Sequence, residues 1–187
     1  MLLTPGAYEF SRLQSLTQDV RHAQRYTSRM LLEFRKAQLP QDAAALWNLD
    51  VAIFGSDAFD QALWLVLESY WILVDSQVAG CSAFIHHADF QEDLREDAQN
   101  TPQPGTLYIQ STGFLAQYRG QGLGHRVKAW QVEYARQNGF RRVVTNCRES
   151  NAAMISINKK FGFRPTRTTP DYYEDGEATV VLELFLR

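Results

Sequence analysis

Residues 106–139 read TLYIQSTGFLAQYRGQGLGHRVKAWQVEYARQNG, and three signals follow one another in that stretch without a break. Thr106 to Leu115 is dense in β-branched and aromatic residues and predicts a strand. Arg119-Gly120-Gln121-Gly122-Leu123-Gly124 is a glycine turn. Leu123, Val127, Trp130 and Tyr134 then recur at i, i+4, i+7 and i+11, which predicts an amphipathic helix that starts in the turn and stops at Asn138-Gly139. Glycines let the main chain approach a ligand closely, and the free N–H groups of a first helical turn suit a phosphate, with a pyrophosphate the natural guest. The same glycines also suit a plain tight junction between strand and helix. Two nucleotide motifs are excluded: there is no G-x-x-x-x-G-K-[ST] loop, and the G-x-G-x-x-G pattern fails because Val127 stands where its third glycine should fall.

On the N-terminal side, Met30 to Ala37 predicts a strand. Pro40 opens a helix through about Phe54, and Ser56-Asp57 caps a second one through about Glu68. Tyr70 to Asp75 and Val78 to His86, joined by Ser76-Gln77, predict a hairpin, and residues 89–105 a solvated loop. On the C-terminal side, Arg142 to Cys147 predicts a short strand. Ser150 caps a helix from Asn151 to about Phe161, ended by Gly162, and Ala178 to Leu186 is a last strand. Helices flanking a mixed sheet imply an α/β or α+β layered fold. Residues 1–29, helical over about 8–27, form an extension to one domain spanning 30–187.

The 187 residues can bury a core without staples. With 19 basic and 21 acidic side chains, a net charge of −2, there is no polybasic footprint, so nucleic acid is not expected as a partner. Apolar runs of six residues or fewer exclude a helical span, and no membrane partner is expected. Cys81 and Cys147 lie far apart without C-x-x-C spacing. They imply neither a disulfide framework nor a metal site, and a reducing, cytoplasmic setting is expected.

R-x-x-G-x-G after a strand, from Arg119 through Gly124, resembles the GNAT superfamily of acyl-CoA-dependent N-acyltransferases. Ser150-Asn151-Ala152-Ala153 through Asn158-Lys159-Lys160-Phe161-Gly162-Phe163 is similar to that superfamily's helix ending in a Gly-Phe corner. Tyr172-Tyr173 before Glu174-Asp175-Gly176-Glu177 is more weakly similar to the bacterial ribosomal-protein alanine N-acetyltransferases. The resemblance implies a sheet splayed open between strands 106–115 and 142–147, with acetyl-CoA as co-substrate in the gap and no metal. Main-chain groups of Thr112, Gly113 and Phe114 would bond the pantetheine amides. The turn Gly120, Gln121, Gly122, Leu123, Gly124, His125 and Arg126 would hold the pyrophosphate, with Arg119 beside it.

Helical arithmetic returns Asn151 and Asn158 to nearly one side of their helix, about 10.5 Å apart, with Met154, Ile157 and Phe161 opposite. Both asparagines are expected to face the pantetheine arm; the alternatives are a cap for Asn151 and a solvated surface place for Asn158. Acetyl transfer to an amine needs a general base, an oxyanion donor and a general acid. In the alanine acetyltransferases a Glu and a Tyr fill the acid/base places that hold Asn146 and Asn158 here, and neither amide titrates. Tyr108, Gln110, Ser111 and Thr112, His86 or His87, and the loop acids Glu149, Asp171 and Glu174 offer no obvious replacement. Cys147 is expected to be a packing residue. Tyr172 and Tyr173 are expected to contact the acceptor, a primary amine on a small molecule or a peptide N-terminus. The rival expectation is an acyl-CoA-binding module without catalysis. The oligomeric state is left open, a homodimer included.

Overall fold

The computed structural model describes residues 30–86 and 105–187. The expected helix over 8–27, His87 and nearly all of the loop over 89–105 lie outside the described residues. In chain order the elements are β1 (Leu32–Lys36), α1 (Ala43–Phe54), β2 (Glu68–Val74), β3 (Gln77–His86), β4 (Thr106–Phe114), α2 (Leu123–Gln137), β5 (Arg142–Arg148), α3 (Ala152–Lys160), β6 (Arg164–Thr169) and β7 (Thr179–Phe185). The strands form one sheet in the order β1-β2-β3-β4-β5-β7-β6. All neighbours are antiparallel except β4 and β5, which α2 joins as a parallel pair. This is the mixed, helix-flanked α/β sheet expected from the sequence.

Alternation along the strands divides the core between two faces. On one face Leu46 and Ile53 of α1 pack with Trp64, Trp71, Cys81, Tyr108 and Val144. On the other, Val132 and Ala135 of α2 pack with Phe84, Leu107, Ile109, Val143, Cys147, Phe163 and Leu182. A ring cluster seals that second face at its β1 end, where Trp130 stacks on Phe34 at 4.0 Å and Tyr134 on Phe84 at 4.8 Å.

The feature that positions the site is a single extra residue in β4. Ala83 opposes Ser111 but Phe84 opposes Ile109, so Gln110 bulges out of the β3–β4 ladder. Pairing of β4 with β5 runs from Thr106↔Arg142 to Ile109↔Thr145 and stops at that bulge. A bulge bends its strand and ends a ladder. From Gln110 onward the two parallel strands therefore diverge, while β5 stays paired with β7 as far as Arg148.

Three expectations are corrected. Residues 56–68 form two short 3₁₀ turns, Gly55–Asp57 and Gln61–Leu65, rather than a helix. Asp50 takes the Phe59 N–H at 2.9 Å, and Asp60 caps the second turn through Ala62 N, which breaks the helical path between them. β6 was not expected, because Pro165 and a polar run conceal it; it is tolerated because β6 is an edge strand. Asn151, not Ser150, caps α3, its Oδ1 accepting from Met154 N at 3.0 Å.

Candidate active site

The side expected to hold the cofactor is built from main chain. Gly120 and Gly122 hold φ of +74° and +75°, and a Cβ on either would meet nothing within 4 Å. Glycine is thus demanded by the backbone angle rather than by crowding, and the turn presents an open concave surface. Gly122 is the N-cap of α2, so the unpaired N–H groups and the positive dipole end of that helix face the same opening. At Gly124 space is the constraint: a Cβ would lie 3.0 Å from Ile157 Cδ1, so the missing side chain lets α2 approach α3. Leu123 is buried beneath the turn.

The side chains around the turn are engaged inside the protein. Arg119 donates from Nε to the Phe114 carbonyl at 2.9 Å and from Nη2 to the Ile53 carbonyl at 2.8 Å, bracing the turn against the ends of β4 and α1. Arg126 donates to the Met30 carbonyl at 2.9 Å, and Gln121 to the Gln117 carbonyl at 2.6 Å. The His125 ring lies 6.4 Å from that of Phe161. Arg119, Arg126 and Gln121 are braces, and the turn offers its main-chain N–H groups to an anion.

Beyond Ile109 the β4 edge that faces β5 has no ladder partner there. Thr112, Gly113 and Phe114 lie on this edge. A Cβ on Gly113 would come within 2.4 Å of Ile53 Cγ2, so glycine is what lets the end of β4 rest on α1. The Thr112 hydroxyl is fixed by Gln131 Nε2 at 2.7 Å and lies 3.3 Å from Ser82 Oγ. An extended chain carrying amides can pair with such an edge as an added strand would.

Between the diverging strands lies a cavity of about 270 Å³, lined among others by Tyr108, Gln110, Thr112, Lys128, Asn146, Cys147, Arg148, Asn151, Tyr172 and Tyr173. The structure therefore brings Thr112, Asn151, Tyr172 and Tyr173 to one cavity, with the glycine turn at the head of α2. Asn158 is fully buried, which overturns the surface alternative. It is the one buried residue of α3 and shares a side with Met154, because 154, 157 and 161 lie only about 40–100° from it around the helix rather than opposite. Neither Asn158 amide atom has a hydrogen-bond partner among the described residues, nor does Gln110 Oε1. An unmet buried polar group costs about 1–3 kcal/mol. Gln110 lines the cavity, Asn158 does not, and a polar chain threading the gap would meet Gln110 Oε1, so cradle, free edge and that orphaned oxygen all fit coenzyme A.

The side expected to meet the acceptor is built from side chains. Arg148 ends β5 and makes a bidentate pair with Asp57 at 2.7 and 2.8 Å. The same guanidinium reaches Asp175 at 2.9 Å and Glu177 at 2.6 Å, and lies 4.0 Å above the Tyr173 ring. Hydrogen bonds from Ser150 and Arg148 hold Glu177 down to about 2. The acidic run therefore pins its own loop, with Tyr172 and Tyr173 edge to face at 5.1 Å against the cavity. Three carboxylates share one guanidinium, so the mouth remains net negative.

Asn146, at the expected base position, accepts the Tyr108 hydroxyl proton on Oδ1 at 2.5 Å and donates from Nδ2 to Thr179 Oγ1 at 3.0 Å. Burial pushes the Cys147 thiol up to about 11, so a thiolate nucleophile is not supplied. His86 is placed away from the site, paired with Glu68 Oε2 at 3.0 Å and opposite Leu107 at the closed end of β4. Of the loop acids, none of Glu149, Asp171 and Glu174 lines the cavity. Lys128, Arg148 and Asp57 escaped the sequence reading as site residues. The signal for Lys128 is Gly124, Gln131 and Ala135, which share its side of α2 and mark the closely packed face.

Among the described residues no helix is long and apolar enough to cross a membrane, and no cluster of His, Cys, Asp or Glu could hold a metal. No curated protein sequence matches the chain. Solved structures share its fold: the ribosomal-protein-S18-alanine N-acetyltransferase from Escherichia coli is 14% identical, with a TM-score of 0.66 over 83% of this chain and 94% of that one. A Bacillus subtilis acetyltransferase in complex with CoA is 18% identical, at 0.65 over 84% and 100%. Arabidopsis thaliana NAA60 in complex with acetyl-CoA is 17% identical, at 0.64 over 83% and 99%. Residues 32–163, most of the chain, match the profile of the acetyltransferase (GNAT) family. The chain belongs to that family and is an acetyl-CoA-dependent N-acetyltransferase.

Proposed function

We propose that this protein moves an acetyl group from acetyl-CoA directly to a primary amine, on a small molecule or a peptide N-terminus, with both substrates bound at once. The observation that supports this most is the gap opened by the Gln110 bulge, which has a main-chain wall on one side and a charged aromatic wall on the other. The turn Gly120–Arg126 holds the pyrophosphate on its N–H groups. The β4 edge at Thr112, Gly113 and Phe114 pairs with the pantetheine amides, and Asn151 and Asn158 flank the arm. Coenzyme A, when bound, supplies the activated acyl group as a thioester.

The acceptor enters from the side of Tyr172 and Tyr173, where the net negative mouth draws a cationic amine. Direct transfer is favoured over an acyl-cysteine route because Cys147 is held as a thiol. Acetyl-CoA consumption, measured against a panel of small amines and N-terminal peptides, tests the reading. Thiol release that depends on at least one amine and yields its amide is expected. Tight coenzyme A binding with no acceptor acetylated anywhere in the panel would replace it with the binding-module reading.

A further inference from the structure

α2 buries a lysine. Lys128 is 3% exposed, and its side chain reaches the gap between β4 and β5 on the α3 face of the sheet. Its ammonium lies 5.1 Å from the centre of the Phe163 ring and has no hydrogen bond or ion pair with any described residue. A buried lysine that lines a cavity without a counter-ion is a rare placement for that side chain, and groups so placed concentrate at functional sites.

The groups around it are few. From β5 comes Cys147, and the Phe163 ring lies beside the ammonium; Tyr108, which lines the same cavity, is bonded to Asn146. Asp57 and Arg148, farther along the cavity, are paired with each other. Building on the acetyl-transfer reading above, we propose that Lys128 is the proton donor to the departing coenzyme A sulfur, the role left open by asparagine at position 158.

The step balances. The lone pair of the acceptor amine makes the new C–N bond, the C–S bond breaks, and its electron pair stays on sulfur. Sulfur takes a proton from the Lys128 ammonium, and the neutral lysine recovers one from the acetylated nitrogen, directly or through water. Burial lowers Lys128 to about 7, below the ordinary thiol value of about 8.5, so the transfer to sulfur runs downhill. Cys147, pushed up to about 11, cannot do the same.

The test uses the full chain with Lys128→Met and Lys128→Arg. Methionine fills the volume without a proton, and arginine keeps a charge it will not release. Both variants are expected to bind coenzyme A within about threefold of wild type by calorimetry. Their kcat is expected to fall by about 10² to 10⁴, and the limb of the kcat profile near pH 7 should vanish. A readout independent of turnover is the pH dependence of Lys128 labelling by acetic anhydride in the free protein, read by peptide mass. A midpoint near 7 supports the assignment; a midpoint above 9 overturns it. Wild-type-like kcat in a folded Lys128→Arg protein also overturns it, and Lys128→Arg decides alone if the methionine variant fails to fold. If wild type itself acetylates no amine, the transfer reading fails, whereas an active wild type with indifferent variants sinks only this assignment.

Discussion

The two walls of the gap are made of different material. Toward the proposed cofactor side, the turn over 120–126 and the β4 edge present backbone, and Arg119, Gln121 and Arg126 brace them. Toward the acceptor, the wall is a network of side chains in which Arg148 ties together Asp57, Asp175, Glu177 and the Tyr173 ring. Main-chain donors can be blocked only by changing backbone shape or adding bulk, whereas a side-chain network comes apart when its centre is removed. Substitutions on one wall should therefore leave the other substrate's binding alone.

Gly122→Glu should break the cofactor wall most completely. It sets a carboxylate in the open space above the turn, at a φ that costs a non-glycine residue roughly 1–2 kcal/mol, and repels the phosphates. Coenzyme A affinity should fall by more than about a hundredfold by calorimetry, with the circular dichroism spectrum retained. Gly122→Ala separates the two causes, since it brings the strain without the charge.

Arg148→Ala is the matching cut on the acceptor wall. It strands Asp57, Asp175 and Glu177 and frees the loop carrying Tyr172 and Tyr173. Hydrogen bonds to charged groups contribute about 1.5–3 kcal/mol, so acceptor KM should rise roughly ten- to a hundredfold in steady-state assays. Coenzyme A affinity should not move. Equal losses for both substrates would show that the walls are not separable.

Asn158, buried in α3, should matter less than either wall. As a positioning amide it gives one neutral hydrogen bond, about 0.5–1.5 kcal/mol, so Asn158→Ala should lower kcat/KM about three- to twelvefold. A loss beyond about a hundredfold with normal coenzyme A binding would make it part of the proton chemistry and remove the opening that Lys128 fills.

The smallest effect on activity belongs outside the gap. At Glu68 burial works against ionisation, but Lys36, Tyr70, Tyr134 and His86 together hold the carboxyl near 2, against 4.5 in the unfolded chain. A depressed carboxyl stabilises the fold above its unfolded value, and that contribution is lost as pH falls from about 4.5 toward 2. Chemical denaturation across that window should show wild type losing stability relative to Glu68→Gln, with acetyl transfer at neutral pH unchanged.

The same division explains what could be read from the chain before its fold was seen. The turn, the β4 strand and both helices beside it are encoded locally, in glycine spacing and short-range periodicity, and all appear in the structure. The acceptor wall is not local, since Arg148 meets Asp57 across 91 residues of sequence. Hydrophobic periodicity found only part of the buried face of α2. It gave Leu123 and Val127, which are buried, with Trp130 and Tyr134 as partly buried rings, but it missed Lys128, Gln131 and Ala135. Large aromatic rings dominate such a pattern, but close packing against α3 selects small and polar residues, and that is the face that meets the site. The bulge at Gln110 left no local mark either, because an extra residue in a ladder is defined by the partner strand.

The central claim is that the two walls hold their substrates at the same time. Initial rates of acetyl transfer, with acetyl-CoA and the best amine from the panel varied together, test it most directly. The account predicts double-reciprocal lines that intersect, as a ternary complex requires, with no acetyl group on Cys147 by mass. Parallel lines, together with an acetylated Cys147 peptide formed before the amine is added, would contradict it.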